Sequence, residues 1–189
     1  MNSLCAISIK EAADLISAHK VKPSELVEAH IERINTTDDK LNSFITVLSE
    51  SALRYSLIAE KEIMNGNYRG PIHGIPIGLK DLYDTAGTIT TVGSKIYRGR
   101  LPQEDATVVS RLKEAGAIVV GKLQMHEFAL GATSINPHDG PARNPWDTER
   151  ITGGSSGGSA SSVAAGQCMA SLGTDTGGSI RIPSALCGI

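Results

Sequence analysis

Two Gly-Gly-Ser steps carry the residues of this chain that are best suited to catalysis. They place Ser155 and Ser179 24 positions apart, each directly after a pair of glycines. Glycine lacks a Cβ atom, so the backbone can adopt positive φ values and approach another group closely. We therefore expect backbone N–H groups and serine hydroxyls to converge on one small polar target, either a phosphate or the oxyanion of an acyl transfer.

Three other interpretations of the glycine-rich segment fit the residues less well. A flexible Gly/Ser linker is disfavoured because small, helix-compatible residues follow at 161–166 and a strand-like segment at 169–175. Phosphate-binding loops need a following lysine or the spacing G-x-G-x-x-G, and this segment has neither. The G-x-S-x-G element of α/β hydrolases needs a preceding strand and a later histidine, whereas the last histidine is His138.

Several motifs resemble those of the amidase signature family, in the family's order. They are GIPIGLKD at 74–81, DATVVSRLKEAGAIVVGKL at 105–123, RNPWD at 143–147, GGSSGGS at 153–159 and GTDTGGSIRIP at 173–183. The resemblance covers roughly residues 71–189. It implies an enzyme that hydrolyses carboxylic amides, with a small-molecule amide as its substrate.

The resemblance also implies the roles of individual residues. Lys80, Ser155 and Ser179 would form a catalytic triad, in which Ser155 follows a cis peptide bond and Ser179 is the nucleophile. The residues whose backbone would form the oxyanion hole are Thr176, Gly177, Gly178 and Ser179. The expected supporting residues are Ser156, Asp175 and Arg181.

Lys80 is also supported by physical reasoning about the reaction. With no histidine near either serine motif, the base must be another group, and Ser-Lys arrangements are a known solution. Lysine is protonated near pH 7 unless its pKa falls from about 10.4, which burial can cause. Lys80 follows the apolar segment 75–79, which indicates burial, although a lysine at a strand end usually points to solvent.

Composition argues against several other classes of function. The chain of 189 residues is 40% hydrophobic with a formal net charge of −2, and its scattered positive charges do not suggest a nucleic-acid-binding surface. No apolar run is long enough for a membrane span. His126-Glu127 begins an H-E-x-x-H pattern but Leu130 stands in its fifth position, and the three cysteines lack metal-binding spacing. We therefore expect no metal, no organic cofactor, and a cytoplasmic protein with reduced thiols.

The elements expected to position these residues are helices first and a sheet later. A capping box at Ser8–Glu11 predicts the start of the first helix. The further expected elements are helices at 24–34, 50–64 and 106–115, strands at 75–79 and 118–120, and a polar loop at 135–149. This order predicts an α/β fold, with an N-terminal helical segment at 1–70 and a mixed sheet flanked by helices at 71–189.

The resemblance leaves three functional hypotheses. The family's domain is longer than this chain, so residues 71–189 are expected to be the N-terminal portion of its core, with a C-terminal half as a possible partner. The leading hypothesis is an amidase that works through an acyl-enzyme. One alternative is the A subunit of a tRNA-dependent amidotransferase, which releases ammonia from glutamine beside other subunits. Ile182 and His126 stand where that subunit usually has Gln and Asp, which favours a general amidase. The other alternative is a non-catalytic fragment that only associates with a partner.

Overall fold

The computed structural model describes residues 2–189, which fold into six α-helices and eight β-strands. The helices are α1 (Ile9–Ser17), α2 (Pro23–Leu41), α3 (Ser49–Met64), α4 (Thr107–Glu114), α5 (Gly157–Ala164) and α6 (Arg181–Cys187). The strands are β1 (Phe44–Val47), β2 (Pro76–Lys80), β3 (Ile118–Leu123), β4 (Ile135–Asn136), β5 (Gly140–Pro141), β6 (Arg143–Asn144), β7 (Asp147–Ile151) and β8 (Ala170–Leu172).

The main sheet has the strand order β1-β3-β2-β8. Strand β2 runs parallel to both β3 and β8, and β1 is antiparallel to β3. All five residues of β2 are buried, as expected for an inner strand of a sheet that is covered on both faces. The predicted α/β fold with a mixed sheet and flanking helices is confirmed.

The start of α1 agrees with the sequence prediction, whereas α2 is longer than predicted. The predicted capping box is present, because the Ser8 side chain accepts from Glu11 N and the Glu11 carboxylate accepts from Ser8 N. Helix α2 continues seven residues beyond the predicted end at Ile34. Its polar last turns are retained because Leu41 is buried, and the helix ends at Asn42, which has left-handed backbone angles.

The prediction of a polar loop at 135–149 is wrong in part. This segment forms two short antiparallel pairs, β4 with β5 and β6 with β7. Three of these four strands have only two residues, which is too few for a periodic pattern, so their pairing also depends on contacts outside the segment. Asn42 supplies such contacts, because its side-chain amide donates to the carbonyl oxygens of Asp139 at 2.8 Å and Pro141 at 3.1 Å.

Two apolar clusters hold the helices on the sheet. Val27, Ile31 and Ile34 of α2 pack with buried residues of β1 and β3. Ile16 of α1 and Val109 of α4 pack with β2. Among residues 2–189, no helix is both long enough and apolar enough to span a membrane.

Gly158 of α5 lies where the helix touches the end of the sheet. A Cβ atom at this position would lie 2.6 Å from both Gln124 N and Gln124 O, and would also clash with Ser43 O. We expect Gly158→Ala to lower the free energy of unfolding by about 1–3 kcal/mol, because backbone atoms must move to make room. Urea unfolding followed by circular dichroism measures this. Gly99→Ala is the control, since its Cβ would meet no atom within 4 Å and its φ is not positive; equal losses for both variants would contradict the prediction.

Candidate active site

Lys80 is the last residue of β2, and its side chain is completely buried. Its Nζ atom donates hydrogen bonds to Ser155 Oγ at 2.6 Å, Ser156 Oγ at 2.9 Å and Thr174 Oγ1 at 2.8 Å. An ammonium group has three donors, so these three hydroxyl groups complete its hydrogen bonds. Lysines 10, 22, 113 and 122 form ion pairs with carboxylates, whereas Lys80 forms none within residues 2–189.

Burial without a carboxylate partner changes the acid–base behaviour of Lys80. Removal from water disfavours the charged form and lowers the pKa of Lys80 to about 8, while the more distant charge of Asp175 acts in the opposite direction. About a tenth of Lys80 is therefore neutral at pH 7, far more than for an exposed lysine. A neutral amine has a lone pair, so one of the neighbouring hydroxyls can then donate its proton to Nζ.

Ser155 is fully buried and follows a cis peptide bond from Gly154. Its carbonyl oxygen accepts hydrogen bonds from the His126 N–H and the Ser134 hydroxyl, both at 3.1 Å. Ser134 Oγ also accepts from Gly157 N at 2.9 Å, which joins Ser155 to the start of α5. These contacts fix the backbone of Ser155, so its hydroxyl is held against Lys80.

Ser156 connects the lysine to the second Gly-Gly-Ser step. Its Oγ accepts from Lys80 and from Thr174 N, and it donates to Thr174 O at 3.3 Å. Its backbone N–H donates to Ser179 O at 3.1 Å. The two steps that are 24 residues apart in the sequence therefore meet in the structure through Ser156.

Asp175 organises the turn that precedes α6. Its carboxylate accepts from the backbone N–H groups of Gly178, Ile180 and Arg181, and from two nitrogens of the Arg181 guanidinium at 2.9 and 3.0 Å. These donors hold the pKa of Asp175 well below its usual range, with the Arg181 guanidinium as the largest influence. Asp175 and Arg181 thus support the turn, and Asp175 acts on Lys80 through its charge and not through a hydrogen bond within residues 2–189.

The turn leaves three backbone N–H groups without an acceptor among residues 2–189, namely those of Thr176, Gly177 and Ser179. The N–H of Gly178, which was also expected to face an oxyanion, donates to Asp175 Oδ1 at 2.7 Å. Gly178 has a φ of +121°, a conformation that a residue with a side chain rarely adopts.

The structure brings together most, but not all, of the expected catalytic groups. Lys80 contacts Ser155 directly, as the triad requires. Ser179 is half-buried, and within residues 2–189 its hydroxyl has no hydrogen bond to Ser155 Oγ, so the direct contact between the two serine side chains that a triad implies is not made. Asp175 fixes the turn around Ser179, and Ser179 meets the site through its carbonyl oxygen instead.

Sequence reasoning missed two residues of the site, Thr174 and Ser134. Thr174 supplies the third hydroxyl on Lys80, and Ser134 holds the Ser155 carbonyl. The closeness of Thr174 to Asp175 was an available signal, whereas no pattern distinguishes Ser134. No group of three or more His, Cys, Asp or Glu side chains in the described part of the chain is arranged to hold a metal ion.

Comparison with known proteins gives consistent results at three levels. The family model named Amidase matches residues 25–189. The A subunit of the glutamyl-tRNA(Gln) amidotransferase of Anaeromyxobacter sp. (strain K) is 50% identical over 186 residues, which are 98% of this chain and 38% of that protein. The chain therefore spans well under half the length of the curated relatives it matches.

Two solved structures share both fold and sequence with the chain. An amidase is 44% identical with a TM-score of 0.88, over 94% of this chain and 41% of that chain. The peptide amidase from Stenotrophomonas maltophilia is 33% identical with a TM-score of 0.91, over 95% of this chain and 38% of that chain. Both structural similarities therefore cover nearly all of this chain but less than half of the chain it is compared with.

Proposed function

We propose that this chain, which belongs to the Amidase family, carries the catalytic groups for hydrolysis of a carboxylic amide C–N bond. The observation that carries the proposal is the 2.6 Å contact between Ser155 Oγ and Lys80 Nζ, a buried lysine without a carboxylate partner. Such a lysine can be neutral and accept a proton, which is what a serine nucleophile requires of its base.

In the proposed reaction Ser179 Oγ attacks the amide carbonyl carbon. The Ser179 hydroxyl gives its proton to Ser155 while the Ser155 hydroxyl gives its proton to neutral Lys80. The net result is one added proton on Lys80, and Ser155 stays neutral. The N–H groups of Thr176, Gly177 and Ser179 stabilise the negative charge that forms on the carbonyl oxygen. The amine leaves with the proton returned through Ser155, and water then releases the acid from the acylated Ser179.

For Ser179 to work in this way its hydroxyl must approach Ser155. The turn that carries it is connected to the lysine site by the hydrogen bond between Ser156 N and Ser179 O. A change in the Ser179 side-chain rotamer, or a small shift of the turn, would bring the hydroxyl toward Ser155. Catalytic hydrogen bonds are often long before substrate is bound.

A second candidate is the ammonia-releasing component of an amidotransferase that takes glutamine as its substrate. The 50% identity to the A subunit of an amidotransferase favours it. The two residues that favour a general amidase both touch the site. His126 contributes only its backbone N–H to Ser155 O, and Ile182 packs next to Gly178. Under this hypothesis the partners are the other subunits of the assembly.

A cytoplasmic location also belongs to the proposal. The three cysteines, at positions 5, 168 and 187, are all free and buried. This usage is typical of a compartment that keeps thiols reduced.

Ammonia release tests the proposal and separates the two candidates. The chain is incubated with glutamine, a peptide amide and benzamide, and ammonia is measured by a coupled assay. Release from glutamine alone favours the amidotransferase component, and release from the other amides favours a general amidase. The control is Lys80→Met. Absence of release from all three amides, or equal release by the control, would contradict the proposal.

A further inference from the structure

Two completely buried lysines lie at the carboxyl ends of neighbouring parallel strands, Lys80 on β2 and Lys122 on β3. The register pairs Leu79 with Lys122 and Lys80 with Leu123. Paired residues of adjacent strands share a face, and successive residues alternate between faces. The side chains of the two lysines therefore leave the sheet on opposite faces.

The two lysines have different surroundings. Lys80 is bound by hydroxyl groups only. Lys122 Nζ lies 3.1 Å from Asp81 Oδ1 and donates to Tyr83 O at 2.8 Å and Thr90 Oγ1 at 2.6 Å. One buried lysine thus has a counter-ion, and the other has none.

Asp81 is the carboxylate that is closest to Lys80 along the chain, since it directly follows it. It is fully buried and is held on the side of Lys122. Its Oδ2 accepts from the backbone N–H of Thr91 at 2.9 Å and from the Thr91 hydroxyl. A carboxylate placed near Lys80 would favour the ammonium form and remove the base.

We infer that Lys122 is a positioning residue for the reaction proposed above: it binds Asp81 on the opposite face of the sheet, so that Lys80 is surrounded by hydroxyl groups alone. The inference rests on the proposed function for its catalytic consequence, but the charge arrangement is tested on Lys80 itself.

The charged groups around each lysine agree with this assignment. Among residues 2–189, Asp175 is the carboxylate that acts to raise the pKa of Lys80, and burial outweighs it. Around Lys122, burial lowers the pKa, Asp81 and Asp84 act to raise it, and Arg100 acts to lower it. Asp81 is therefore the counter-ion of Lys122.

The test is an NMR titration of Lys80 in the 189-residue chain with lysine labelled with ¹³C at Cε, in which Lys80→Met assigns the signal. We expect a midpoint near pH 8 in the unchanged chain. Lys122→Met should raise this midpoint by about one unit, because Asp81 loses its cation and its charge then acts on Lys80. The double variant Lys122→Met/Asp81→Asn should leave the midpoint within about 0.3 units of pH 8, since it contains neither an uncompensated carboxylate nor an uncompensated ammonium group at this position.

The neutral fraction of Lys80 at pH 7 should fall about tenfold in Lys122→Met, and the rate of labelling of Ser179 by a fluorophosphonate should fall with it. The double variant should recover the labelling rate. Lys113→Met is the control, because Lys113 forms an ion pair of 2.8 Å with Asp105 away from the site. This variant should leave the Lys80 midpoint unchanged.

An unchanged Lys80 midpoint in folded Lys122→Met, or a raised one in the double variant, would overturn the inference. If Lys122→Met does not fold, the double variant decides, because it leaves no uncompensated charge and a fall of about one unit or more would mean that Asp81 already acts on Lys80 in the unchanged chain. Failure of the proposed function is seen separately, as absence of Ser179 labelling in the unchanged chain, while the Lys80 titration still tests the positioning role.

Discussion

Ser179→Ala should abolish covalent labelling of the chain by a fluorophosphonate probe, whereas Ser155→Ala should still be labelled slowly at Ser179. The nucleophile must lie beside the donors that stabilise the oxyanion, since the oxyanion forms on the group it has just attacked. Ser179 lies in the same turn as Thr176 and Gly177. The backbone N–H groups of all three residues have no hydrogen-bond acceptor within residues 2–189.

Ser155 has the surroundings of a proton carrier. Its hydroxyl is 2.6 Å from Lys80 Nζ, and it is fully buried with its carbonyl held by two hydrogen bonds. Ser155→Ala should therefore slow labelling by about 10²–10⁴, the usual contribution of a general acid or base. The adduct that remains should still be on Ser179.

Mass spectrometry of the labelled peptide measures both results, and circular dichroism confirms that each variant is folded. Ser184→Ala is the matched control, because Ser184 is a half-buried serine of α6, five positions after Ser179. The Ser184→Ala variant should be labelled at Ser179 at the same rate as the unchanged chain. An adduct on Ser155, together with full labelling of Ser179→Ala, would reverse the two roles.

The fold could be predicted from sequence where its cause is local. The capping box at Ser8–Glu11 and the apolar strand before Lys80 both depend on neighbouring residues, and both are present. Strand β1 was not predicted, because it has only four residues and is stabilised by antiparallel pairing with β3, more than 70 positions away. Pairing over such distances leaves no local periodic signal.

The candidate site could be predicted only in part for the same reason. The glycines and serines of the two Gly-Gly-Ser steps indicated a polar convergence, but the contact of Ser155 with Lys80 spans 75 positions and came from the resemblance. Thr174 was missed, although it directly precedes Asp175, because its residue type alone does not distinguish it from a surface threonine. The pair Lys122 and Asp81 was missed because the two residues lie in different motifs, at 105–123 and 74–81, and only the sheet register brings them together.

The rate of fluorophosphonate labelling should depend on pH through Lys80, with a midpoint near pH 8. Burial lowers the pKa of Lys80 to about 8, and only the neutral amine can accept the proton of the serine relay. Below the midpoint the rate should fall about tenfold for each pH unit, since the neutral fraction falls by that factor. Above it the rate should become constant.

The same pKa shift affects stability, with a sign that can be derived. Unfolded Lys80 binds its proton up to about pH 10.4, whereas the folded side chain loses it near pH 8, so the unfolded state holds more protons between these values. The contribution of Lys80 to the free energy of unfolding should therefore rise with pH between about 8 and 10.4. Below this window Lys80 destabilises the fold by a constant amount.

Lys80→Met and Lys80→Arg should both lower the labelling rate at pH 8 by about 10²–10⁴. The increase of the rate with pH below the midpoint should also be lost. Arginine keeps the positive charge of the lysine but stays protonated from pH 6 to pH 10. It therefore cannot accept a proton and cannot replace the base. Lys95→Met is the control, because Lys95 is an exposed lysine without a contact to the site, and this variant should keep both rate and midpoint. Labelling rates are measured from pH 6 to pH 10 with the chain folded throughout. An increase of the rate with pH that persists in Lys80→Met would assign the titration to another group, and a midpoint near that of an exposed lysine would mean that burial does not prepare Lys80 to act as the base.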